Sequence, residues 1–82
     1  MKVIQIAPHR NDCKVVGNTI EGRMDGRVFR FEIPSEYEVY SYQHEYLINT
    51  FRQAIALSSK PWQVEQLLND HWGIKGGKFS EQ

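Results

Sequence analysis

Eighty-two residues, 40% of them hydrophobic and with four Phe, four Tyr and two Trp, supply one small core and are too few for two. Ten Lys and Arg balance ten Asp and Glu, which excludes a strongly charged tail, and the aromatic content argues against intrinsic disorder. A lone Cys13 excludes an internal disulfide and an all-Cys zinc site, and no apolar run reaches the roughly 18 residues that span a bilayer, so a soluble, cytoplasmic domain with no membrane partner is expected.

Residues 2–7 (KVIQIA) form a short apolar run closed by Pro8, which lacks an amide donor and suits a strand end, so a first strand is expected there. Asp25-Gly26 lies between Thr19–Met24 and residues 27–33, and that dipeptide between two alternating runs predicts a hairpin because both turn residues need positive φ. A two-residue loop fixes the register: Met24 faces Arg27, Gly22 faces Phe29 and Ile20 faces Phe31. Ile20, Gly22, Phe29, Phe31 and Ile33 then share one face, and Thr19, Glu21, Arg23, Arg30 and Glu32 the other. Gly17-Asn18 reads as a second such loop that brings in residues 12–16, with Val15 beside Ile20, Cys13 beside Gly22, Lys14 beside Glu21 and Asp12 beside Arg23. A single long strand with a bulge near Gly17 is the competing reading.

Ser35 to Glu38 matches a capping box, which predicts a helical turn after Pro34, whereas the following EYEVYSY has strand composition. From His44 the spacing of Leu47, Ile48, Phe51, Ala54 and Ile55 predicts a helix ending near Ser58. Ser59 or Lys60 caps a second helix with Pro61 in its first turn, an apolar stripe at Val64, Leu67, Leu68, His71 and Trp72, and Gly73 as its C-terminal cap. The expected fold is α+β: a three- or four-stranded antiparallel β-meander followed by two C-terminal helices packed on one sheet face. Residues 1–73 form the single domain and residues 74–82, with Gly76-Gly77, a flexible tail.

No catalytic or cofactor fingerprint is present. His9, Asp12 and Cys13 are metal-competent but lack the paired Cys or His of a specific zinc motif. Cys13 falls on the inward face, where a thiol acts as a small hydrophobe. The segment GIKGGKF is one residue short of a phosphate loop and has Phe79 where that loop needs a hydroxyl. His44 and His71 have no identifiable acid/base partner. No enzyme, metal or cofactor is therefore assigned.

Charge is uneven along the chain. Residues 1–31 hold six basic and three acidic side chains, residues 32–46 four acidic and none basic, and residues 47–82 four basic and three acidic. The acidic stretch also carries all four tyrosines, more than one element buries on one face, and Tyr is enriched at protein interfaces. These residues point to a non-enzymatic interaction module, an adaptor or inhibitor that docks through Glu36, Tyr37, Glu38, Tyr40, Tyr42 and Glu45 on a partner of basic character or on a second copy of the chain. The bland alternative is that two or three of the tyrosines only cap the sheet core. A competing function is nucleic-acid binding through Arg10, Lys14, Arg23, Arg27 and Arg30 on or near the hairpin. Cross-strand acidic neighbours of Lys14, Arg23 and Arg30 weigh against it.

Overall fold

A computed structural model describes residues 12–24 and 26–81. Three strands come first, β1 (Cys13–Val16), β2 (Thr19–Met24) and β3 (Arg27–Glu32). Two helices follow, α1 (His44–Leu57) and α2 (Pro61–Trp72), and then a last strand, β4 (Lys78–Glu81). The strands make one antiparallel sheet in the order β1-β2-β3-β4. The strand expected at residues 2–7 lies outside the described residues.

Both turns set the register that their dipeptides imply. Gly17 and Gly26 take φ of 60° and 76°, the left-handed region that side chains disfavour. Cys13 pairs with Gly22, Lys14 with Glu21 and Val15 with Ile20; Glu21 pairs with Arg30 and Ile20 with Phe31. The long-strand reading with a bulge at Gly17 is thereby replaced by two strands and a tight turn.

Period-two alternation then buries Ile20, Phe29, Phe31 and Ile33 on one side, and Leu47, Phe51 and Ala54 of α1 with Val64 and Leu68 of α2 close over them. Trp72 meets the Phe31 ring edge to face at 5.5 Å and donates its indole N–H to Thr50 Oγ1 at 3.0 Å. An apolar ring with a polar tip is thus satisfied at both ends. Gly73 ends α2 at φ 65°, and its amide bonds back to the last turn.

Two expectations change. Residues 35–40 are neither helix nor strand: a single turn forms after Pro34, where the Tyr37 amide reaches the Pro34 carbonyl at 3.1 Å, and a short 3-10 turn (Ser41–Gln43) leads into α1. The Asn18 side-chain amide donates to the Pro34 and Tyr37 carbonyls at 2.9 and 2.8 Å. These bonds satisfy the backbone groups that a helix would otherwise have used.

The second change is at the C-terminus, where Lys78–Glu81 of the expected tail is strand β4, paired along β3. Gly77 fits because it has no side chain: a Cβ there would stand 2.7 Å from Asn69 Oδ1 and 2.8 Å from Phe31 Cε2. Asn69 grips the Gly77 amide and carbonyl at 3.0 and 3.2 Å, and Glu65 accepts the Phe79 amide at 2.9 Å. Phe79 stacks on Phe29 at 5.8 Å between ring centres. β3 is accordingly an interior strand, so an open β3 edge does not exist for pairing with a second copy.

Candidate functional site

The four tyrosines separate by burial. Tyr37 is half-buried against the core, and its hydroxyl accepts the Lys75 amide at 2.9 Å. The other three face solvent: Tyr40 is 46%, Tyr42 80% and Tyr46 51% exposed. Tyr40 and Tyr42 stack on each other with centres 5.6 Å apart and planes 9° from parallel. Tyr40 is the extended residue that caps the 3-10 turn and Tyr42 lies within it, which brings the two rings together.

The charged side chains of the same segment are all acidic, and Lys75 stands beside Tyr37 from just beyond α2. Glu36, Glu38 and Glu45 are all exposed, with Glu45 in the first turn of α1, where a carboxylate suits the helix dipole. Tyr40 donates its hydroxyl to Glu38 Oε1 at 2.6 Å, and that bond holds the phenol above its ordinary pKa, so the ring stays neutral.

Beside this surface, the 33–47 segment and the end of α2 enclose a cleft of about 320 Å³. Tyr37, Tyr46 and Trp72 wall it, Ile33 and Leu47 form apolar lining, and Glu38 also lines it. The Tyr46 hydroxyl and His71 Nε2 hydrogen-bond at 2.9 Å with their rings stacked at 6.1 Å. His71, expected on the apolar stripe of α2, is instead exposed and lines the cleft beside Tyr46.

The hairpin cations are dispersed. Arg10 lies outside the described residues. Lys14 and Arg30 share Glu21, at 3.9 and 3.1 Å, on the outer sheet face. Arg27 falls on the opposite face by strand alternation; it forms a two-point ion pair with Glu81 and lies 5.3 Å over the Phe29 ring. That pairing holds the Glu81 carboxyl below its ordinary pKa. Arg23 is exposed on the outer face, where a depression of about 430 Å³ is lined by Asp12 and Glu21 as well as Lys14 and Arg23. Mixed sign there weakens the field that a phosphate backbone would meet.

The sequence pattern overlooks one further surface. Leu57 and Trp62 are 78% and 60% exposed at the corner between α1 and α2 and, with Leu67, line a shallow groove. Both are apolar residues that fall off the stripes of their helices, and that misfit is the signal that finds them.

Among the described residues no group of three or more His, Cys, Asp or Glu is placed to hold a metal, and no helix is long and apolar enough to cross a membrane. Burial raises the Cys13 thiol above its ordinary pKa, partly offset by Arg52, which makes it a poor nucleophile at neutral pH. No protein-family model, no curated protein and no solved structure matches the chain. The site is described by its geometry alone: a small α+β domain with an exposed aromatic cluster set among carboxylates.

Proposed function

We propose that the domain is a non-enzymatic protein-interaction module, an adaptor or inhibitor, that docks on a basic protein surface through Tyr40, Tyr42 and the neighbouring glutamates. The observation that carries this reading is the stacked, solvent-facing Tyr40–Tyr42 pair inside a one-signed acidic stretch. Two stacked phenols already share their rotational freedom, so burying them under a partner costs little side-chain entropy and removes a large apolar area from water. The glutamates at the rim steer a basic partner and disfavour an acidic one. Tyr37 and Glu38 have supporting parts: the first fixes the segment to the core, and the second orients Tyr40.

The test uses tagged protein in native lysate, with and without nuclease, beside the double variant Tyr40→Ala/Tyr42→Ala. Both side chains are exposed, so folding should change by only about 0.5 kcal/mol each. We expect nuclease-resistant retention of a protein partner by the wild type, reduced about tenfold or more in the variant. Retention that vanishes with nuclease would instead favour nucleic-acid binding by the hairpin, and equal retention by the variant would remove the tyrosine surface from the interaction.

A further inference from the structure

The cleft beside the tyrosine pair is built more firmly than an adhesive patch requires. Each of its aromatic walls is pinned at its polar end: Tyr37 by the Lys75 amide, Tyr46 by His71, and Trp72 by Thr50. Glu38 lines the same cleft, with one carboxylate oxygen engaged by Tyr40 and, among the described residues, no Lys or Arg paired with it. A volume of about 320 Å³ is at the small end of ligand sites, the size for one long side chain.

These features select the occupant by charge. A neutral apolar group would cover Glu38 without replacing its water, leaving a desolvated carboxylate with only the Tyr40 hydroxyl as partner. A cation satisfies the carboxylate and is attracted to the faces of Tyr and Trp rings. Between the two basic side chains, the planar guanidinium stacks on an aromatic face while its edge donors reach a carboxylate, which an ammonium does less well. The sequence around the cleft adds the same sign, since residues 32–46 carry four acidic side chains and no basic one.

We infer that this cleft receives a single arginine side chain from a basic segment of the protein partner, with Tyr37, Tyr46 and Trp72 as its walls and Glu38 as its anion. The inference rests on the interface reading above and names the partner's chemistry. Because the walls are already hydrogen-bonded in place, arginine enters a pre-formed slot and few side chains are immobilised on binding.

The test is an NMR titration of the full chain with the capped peptide acetyl-Gly-Gly-Arg-Gly-Gly-amide, beside its citrulline and lysine counterparts. Citrulline keeps the shape of arginine and removes the charge. We expect saturable shifts at the Trp72 indole and at the amides of Tyr37, Glu38 and Gln43. Affinity should fall about tenfold for citrulline, and about fivefold for arginine with Glu38→Gln. Gln53→Ala should leave peptide binding unchanged, because Gln53 is exposed on α1 and does not line the cleft.

Absence of shifts at the cleft, equal binding of the citrulline peptide, equal binding of the lysine peptide, or indifference to Glu38→Gln would each overturn the arginine slot. Its failure is distinct from failure of the interface: a cleft that ignores the peptide while Tyr40→Ala/Tyr42→Ala still abolishes partner retention removes only the slot. A cleft that binds arginine while partner retention ignores the tyrosines removes the interface and leaves the slot without its stated partner, which also counts against it.

Discussion

Gly22 has no room for a side chain: a Cβ there would lie 2.7 Å from Cys13 Sγ and 3.2 Å from Phe51. Gly22→Ala should destabilise the fold by about 1–3 kcal/mol, as overpacking does, and Cys13→Ala should recover part of that loss in the double variant. Thermal melts of the four proteins check it, and strict additivity would contradict it. The facing of Cys13 and Gly22 was readable from the turn register. Their mutual exclusion was not, because it depends on Phe51 arriving from a helix 29 residues along the chain. Cys13 carries a second prediction. Its folded-state pKa is raised by burial, so its contribution is present below the ordinary thiol value and lost as pH rises through the raised one. Native protein should alkylate with iodoacetamide more slowly than unfolded chain at neutral pH; equal rates would show the thiol to be open.

At the scale of elements, β4 is held by groups from two places. Asn69 and Glu65 of α2 grip its entry, and Arg27 of β3 pairs with Glu81 at its end. Asn69→Ala should cost about 1–3 kcal/mol through unpaired polar groups and raise amide exchange at Phe79 more than at the β2–β3 ladder. Uniform change across the sheet would mean that β4 does not open by itself. Acid acts on the other anchor. Glu81 has a lowered pKa, so its contribution is present above the ordinary carboxylate value and lost as pH falls through the depressed one. NMR relaxation of the β4 amides should report greater mobility on acidification, and Arg27→Gln should remove that dependence. The β2–β3 hairpin was legible from Asp25-Gly26 because its pairing is local. β4 was not, since Lys78 pairs with Glu32 across 45 intervening positions, a contact that no turn dipeptide announces. Gly76-Gly77 looked like looseness but is the close approach that lets the chain pass over Phe31.

For the whole molecule, alternation in the strands and stripes on the helices place the core on one side of the sheet, and two surfaces remain with large exposed rings. The acidic tyrosine surface was legible as a composition bias, but its division into a core-bound Tyr37 and an exposed stacked pair was not, because Asn18 and Lys75 fix the loop from outside it. Asn18→Ala should therefore weaken partner retention without touching the surface, in proportion to increased mobility of residues 35–40. The apolar corner at Leu57 and Trp62 is the natural rival surface, and Arg23 marks the outer sheet face. Site-specific photo-crosslinking separates the three most directly, with the photoreactive residue placed in turn at positions 42, 62 and 23 and exposed to nuclease-treated native lysate. A discrete protein adduct from position 42, absent from position 23 and blocked by charge reversal at Glu36, Glu38 and Glu45, is the predicted result. Adducts from position 62 or 23 with none from position 42 would contradict an interface on the tyrosine surface.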